Sequence, residues 1–355
     1  MSQSEFLFPQ RQSRRDFLAW TGAAVVGSAL GATTRLSAEA PEQPVTLGTG
    51  KWTYTLDPKW GRLPAGQSYG FGCAIVADRK DRIFVTSRSA NPCVAIFSPQ
   101  GELLETWSND FAQKIQSTTD DVVKTAHGLY CSLEGDQEFL YFTENKPGAR
   151  VYKTDLEGRI LYELGNVRGK GSNSQKFDFV NPTDVAVAPN GDIYIVDGYG
   201  SQLVHRFDSS FHHLQTMGGR GKEHGQFNTC HGVWVTTLGD EPEVYIADRA
   251  NDRLEVYSMD FVFKRSVSGV RKPCCFYQHA GHLYVPELDA RVTILDADDQ
   301  IVAHLGDGQG IPREELDKHP DKFAAPHALT VDSHGGLYVL EWLPTGRPRK
   351  FTPTA

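Results

Sequence analysis

Beyond Gly48 the chain alternates between short runs of apolar and β-branched residues and clusters of Gly, Pro, Asn and Asp. Alternation of period two, broken every few residues by turn formers, predicts strands, and the 3.6-residue spacing of an amphipathic helix is almost absent. One arrangement recurs. The stretch "NPTDVAVAPNGDIYIVDGYGSQLVHRF" reads as strand, Pro-Asn-Gly-Asp turn, strand, polar loop, strand. "TCHGVWVTTLGDEPEVYIADRANDRLEVY" repeats it, as do "AHGLYCSLEGDQEFLYFTENKPGARVYKT", "YGFGCAIVADRKDRIFVTSRSANPCVAIF", "KPCCFYQHAGHLYVPELDARVTIL" and "APHALTVDSHGGLYVLEWLPTGRPRKF".

Aligned on the entrance to the first strand, the six units place Gly72, His127, Thr183, His231, Cys274 and His327 at one position. Six units of four short antiparallel strands predict an all-β fold, a six-bladed β-propeller occupying residues 41–355 as a single domain. The last unit holds only three strands before Ala355. "KWTYTLD" (Lys51 to Asp57) is an orphan strand at the other end and is expected to close the ring by pairing near Lys350 to Pro353, because an open array leaves exposed sheet edges. The linkers "GGRGKEHGQF", "GNVRGKGSNSQKF" and "GDGQGIPREELDKHPDKF" each run from a Gly-rich turn to a Phe. These units resemble the NHL repeat class of propeller.

Residues 1–40 stand apart. Arg14 and Arg15 in "QSRRDFLAW" precede the run "LAWTGAAVVGSALGA", which is too short and too small in side chain for a good membrane span. The pair followed by Phe17 and Leu18 resembles a twin-arginine (Tat-type) export signal, with cleavage expected near Ala38 or Ala40. The expected destination is periplasmic or extracellular, with no stable membrane span after signal removal. Charged residues are 23% and apolar residues 39% of the chain, as in an ordinary globular protein, and the net charge of −8 comes with no basic stripe. Nucleic acid is therefore not an expected partner. The six cysteines form no zinc-type or redox spacing; most read as buried small hydrophobes, and a disulfide or two stays open.

The histidines change the picture. His127, His231 and His327 fall in the second, fourth and sixth units, and alternate blades of a six-blade ring stand about 120° apart. A residue at the entrance of the innermost strand points toward the axis, so the three imidazoles should converge as a trigonal set. Three histidines with an open fourth position are the donor set of a catalytic zinc. A single channel histidine is more often a hydrogen-bonded packing residue; it is the strict alternation that favours a metal. In the loop after the second strand Arg88 and Arg249 are equivalent and Tyr199 lies one place later. Asp248-Arg249 also reads as a blade-stabilising pair, and Tyr199 as a loop aromatic. Clustered at one mouth, the two guanidiniums would hold a carboxylate, and a phenol beside a cation could act as a base.

These residues resemble the peptidyl-α-hydroxyglycine α-amidating lyase domain, over most of the chain and most specifically in "HGLYCS", "PTDVAVAPNGDIYIVDGY", "HGVWV", "YIADRANDRLEVY" and "PHALTVDSHGGLYV". The resemblance implies a six-bladed propeller with an axial zinc on His127, His231 and His327, a catalytic Tyr199, and functional Arg88 and Arg249. It implies a small molecule or peptide C-terminus carrying a carboxylate as substrate, cleaved at a C–N bond to an amide and a glyoxylate-type product. The chain departs from the family at Ala328, where an aspartate helps hold an axial calcium, so calcium is not expected. It departs also at Ala325, where the family has a methionine, and at Gly200, Tyr245 and Val256, where it has cysteines, so the family's disulfides are absent. A non-catalytic NHL propeller binding a protein or glycan is an alternative. A lactonase-type propeller is another, though its calcium takes oxygen rather than imidazole ligands. The sequence leaves the oligomeric state open.

Overall fold

In the computed structural model, residues 43–124, 126–167 and 173–354 are described; the twin-arginine segment lies outside them. The strands form six antiparallel sheets. The first blade comprises Gly72–Ala77, Ile83–Ser87, Val94–Phe97 and Leu103–Trp107. The second comprises Gly128–Glu134, Gln137–Thr143, Arg150–Thr154 and Ile160–Gly165, with Ser174–Lys176 added in parallel. The third, fourth and fifth begin at Asp184–Val187, Cys230–Thr236 and Tyr277–His279. Each follows the strand order of its sequence. First strands of most successive blades contact one another, the last with the first included, which is the arrangement of a propeller about a central axis.

The sixth blade closes the ring as the sequence predicts. Its strands Pro326–Val331, Leu337–Glu341 and Arg349–Pro353 take Tyr54–Asp57 as their fourth. Tyr54 pairs with Pro353, Thr55 with Thr352, Leu56 with Phe351 and Asp57 with Lys350. The strand is shorter than "KWTYTLD", because Gly50–Trp52 form a 3-10 turn. A further pair of residues, Thr46–Leu47, extends the sheet by one strand. Leu47 and Tyr54 are buried with Phe351, Val339 and, from the fifth blade, Tyr284 and Ile294. The closing segment thus joins the core between two blades as well as the hydrogen-bond ladder.

Alternation explains the remaining cores. Val, Ile, Phe and Tyr from facing sheets fill the wedges between blades: Val196, Val204, Val244 and Ile246 in one, Ala247, Leu254, Leu283 and Val285 in another. Among the described residues helical structure is confined to short segments, such as Asn109–Lys114 and Thr119–Val122 in the link between the first and second blades. All six cysteines are free, four of them buried. No helix among the described residues is long and apolar enough to cross a membrane. His212 and His213 are exposed, at the start of the third blade's outer strand.

Candidate metal centre

Three imidazoles meet where the inner strands begin. Their ring centroids form a nearly equilateral triangle with sides of 5.0 Å (His127–His231), 5.1 Å (His127–His327) and 4.9 Å (His231–His327). Local backbone geometry aims two of them. In the fourth blade Cys230 pairs with Asp248 and Gly232 with Ala247; in the sixth Pro326 pairs with Glu341 and Ala328 with Leu340. His231 and His327 are therefore the extra residues of β-bulges, which release a side chain from the regular alternation. The same pairing corrects the first blade. Gly72 pairs with Ser87, the counterpart of Asp248, so the residue equivalent to the histidines is Cys73 rather than Gly72.

That correction makes the ring's logic plain. His127 Nδ1 donates to the Thr183 carbonyl at 2.8 Å, His231 Nδ1 to that of Cys274 at 2.7 Å, and His327 Nδ1 to that of Cys73 at 2.6 Å. At one level of the channel, even-numbered blades supply side chains and odd-numbered blades supply the carbonyls that orient them. A carbonyl only accepts, so each Nδ1 carries the proton and each Nε2 keeps a lone pair. Such a contact fixes tautomer and ring orientation in metal-ligating histidines. Close approach of neighbouring strands is required, and glycine permits it: a Cβ on Gly232 would stand 2.3 Å from the Cys274 oxygen, and one on Gly128 2.6 Å from the Thr183 oxygen.

The donor set fits a divalent cation. Potential ligand atoms of the three histidines all lie within 4.8 Å of one another. Nε2 of His127 and of His327 is buried without a hydrogen-bond partner, a costly state for a polar atom unless something satisfies it. Burial holds His127 and His231 well below the usual imidazole range and His327 down to about 3, so all three are in the neutral, ligating form. The thiols of Cys73 and Cys274, at the odd-blade positions, are pushed up by burial to about 11 and stay protonated.

Tyr199 covers the third lone pair. Its hydroxyl donates to His231 Nε2 at 3.1 Å and accepts from Arg249 at 3.0 Å. The Arg249 guanidinium also lies 5.1 Å over the Tyr199 ring. Burial raises the phenol above its ordinary value, and Arg249 pulls it back. Arg88, from the opposite blade, donates to the Val123 carbonyl at 3.0 Å and to Asn145. Asp248 pairs with Arg253 at 2.8 Å, not with Arg249. Among the described residues neither Arg88 nor Arg249 has a carboxylate partner. All six residues singled out from the sequence are therefore at this end of the channel.

Other supports were not legible as single residues. Every second strand is followed or ended by a buried polar group: Ser87, Glu144, Asp197, Asp248, Glu287 and Glu341, five of them fully buried. Asp197 accepts from the amides of Val180 and Asn181, Asp248 from Asn228, Glu287 from Arg271, and Glu341 from Ala324 and Ala325. These carboxylates anchor the loops that lead into the first strands, and hence the histidines. Gln202, buried in the left-handed region, accepts from the Thr229 and Cys230 amides and donates to the Gly198 carbonyl. It ties the Tyr199 turn to the His231 loop. Trp342, at the sixth-blade position equivalent to Arg249, tilts over His327 with centroids 5.1 Å apart. The acidic column was available as the second letter of "TENKP", "VDGYG", "ADRAN", "PELDA" and "LEWLP"; Gln202 and Trp342 gave no repeat signal.

Comparison with known proteins agrees with this architecture. A model of the NHL repeat matches residues 179–207, which span most of the third blade and include Tyr199. The chain is 26% identical over 316 residues to NHL repeat-containing protein 3 of Homo sapiens, covering 84% of both. It is 30% identical over 135 residues to a probable peptidyl-alpha-hydroxyglycine alpha-amidating lyase of Caenorhabditis elegans, pgal-1, covering 37% of this chain and 36% of that one. Among solved structures, a gluconolactonase from Xanthomonas campestris superposes with a TM-score of 0.58 at 12% identity, over 89% of this chain and 96% of the other. Likeness at that identity concerns the fold alone. The chain is a six-bladed β-propeller that carries an NHL repeat at residues 179–207 and is similar, over about a third of its length, to a probable amidating lyase.

Proposed function

We propose that this propeller is an exported, zinc-dependent lyase that cleaves the C–N bond of an N-(α-hydroxyalkyl)amide bearing a carboxylate. The observation that carries the reading is the juxtaposition at one channel mouth of three neutral imidazoles, two with orphaned Nε2 atoms, a phenol, and two guanidiniums without carboxylate partners. Three imidazoles suit zinc better than calcium. Export rests on Arg14 and Arg15 in the leading segment.

When bound, zinc supplies Lewis acidity that makes a nearby hydroxyl easier to deprotonate. His127, His231 and His327 would hold it through Nε2. Arg88 and Arg249 bind the substrate carboxylate and stabilise charge as it develops. Tyr199 Oη takes the α-hydroxyl proton. Burial alone keeps the phenol protonated, so this role depends on the positive charge of Arg249 and of a cation at the imidazoles. As the α C–O bond becomes C=O, the C–N bond breaks, its electron pair leaves with nitrogen, and nitrogen takes up a proton. The products are an amide and a glyoxylate-type carbonyl acid.

The metal is tested by elemental analysis. Protein folded with zinc and then desalted is expected to carry one zinc per chain, and His231→Ala or His327→Ala to lose it while keeping the fold. A well-folded parent without stoichiometric transition metal would sink the reading.

A further inference from the structure

The six residues that follow the buried polar column form the rim of the mouth: Arg88, Asn145, Gly198, Arg249, Leu288 and Trp342. In a ring of six, the first and fourth blades stand opposite each other, as do the third and sixth. Arg88 and Arg249 thus define a cationic diameter. Tyr199, in the turn of the third blade, and Trp342, from the sixth, define an aromatic one. Trp342 is fixed there by its amide, which donates to the Ala325 carbonyl at 2.8 Å in the loop that carries His327. Its ring lies 5.1 Å from His327 at 30°, 5.1 Å from Phe71 at 33°, and 5.9 Å from the Arg88 guanidinium. His127 is shared by both sides, 5.3 Å from Tyr199 and 6.1 Å from Trp342. Trp342 is only half-buried, so part of the indole stays open at the mouth.

From this arrangement we propose that Trp342, backed by Phe71, is the specificity-determining residue of the site and selects substrates whose acyl group is flat and apolar. The proposal rests on the reading of the mouth as a carboxylate site. With the carboxylate on the cationic diameter, the rest of the substrate extends along the other one. Tyr199 occupies one end of it with its hydroxyl, which leaves the indole as the wall for the acyl group. Offset or edge-on packing of an aryl group on an aromatic wall is favourable beyond area burial.

The test is equilibrium binding to the zinc-loaded protein of two unreactive carboxylates, N-benzoylglycine and N-acetylglycine, measured by titration calorimetry. The benzoyl compound is expected to bind more tightly by about 3- to 10-fold. Trp342→Ala should abolish the preference, and Trp342→Phe should keep most of it; thermal melting checks that both variants fold. Equal affinity for the two ligands, binding of neither, or an undiminished preference in Trp342→Ala overturns the proposal. If the preference and its dependence on Trp342 hold while the α-hydroxylated counterparts release no glyoxylate, the lyase reading falls and the role of Trp342 stands.

Discussion

Replacing Tyr199 with Phe is expected to lower turnover of an α-hydroxyglycine-terminated peptide by about 10²–10⁴-fold, the usual contribution of a general base. The substitution removes one oxygen and little else. The ring packs edge-on against His127 and His231, at 5.3 and 5.4 Å, and a phenyl group keeps those contacts. The lost hydroxyl is the atom that bridges His231 Nε2 and Arg249. In the metal-free protein that bridge satisfies the third imidazole, so Tyr199→Phe orphans His231 Nε2 as His127 and His327 already are. Zinc content should therefore be unchanged or tighter, while rate collapses. A fall in rate of less than about tenfold would remove Tyr199 from the role of base. Loss of zinc together with rate would make it a structural support instead.

Deleting residues 49–58 should leave the chain unable to fold stably. The segment contributes Tyr54, buried against the fifth blade, and the half-buried Trp52 and Leu56 in the same core. Trp52 also meets His282 and Tyr284 edge-on, and the Tyr54 and Tyr284 hydroxyls meet at 3.4 Å. Full burial of a large apolar side chain is worth about 1.5–3 kcal/mol. Tyr54 contributes on that scale and the half-buried Trp52 and Leu56 less, and with the lost ladder to Arg349–Pro353 the sum is a large share of the ~5–15 kcal/mol that typically separates folded from unfolded domains. The freed strand would also present an unpaired edge to other chains. Circular dichroism melting and size-exclusion chromatography measure the outcome. A truncated chain that stays monomeric and melts with the parent would contradict ring closure by Tyr54–Asp57.

Much of this could be read from residues alone because a propeller repeats. Strand, turn and strand recur six times, so the blade count, the closing strand and the trigonal histidines followed from register. The histidine column was visible because imidazole is rare and its alternation is strict. Placement failed by one residue at Cys73, where a bulge between Gly72 and Ile75 breaks the count that alignment assumes. Bulges also aim His231 and His327, and period-two patterning carries no signal for them. Asp248 misled for a different reason. Its neighbour in sequence, Arg249, is charged, but the strand ends at Asp248 and Arg249 opens a 3-10 turn that sends its guanidinium to Tyr199, while the carboxylate reaches Arg253 at the start of the next strand. Gln202 was silent because it acts through its place in space, between a turn and a loop; Trp342 was silent because, although it stands at the position of Arg249, no other blade carries an indole there.

The most direct measurement is glyoxylate release by the full, zinc-loaded chain from a peptide ending in α-hydroxyglycine. Catalytic release is expected, disappearing when zinc is removed and returning when it is restored. No release by protein carrying one zinc per chain would contradict the lyase reading.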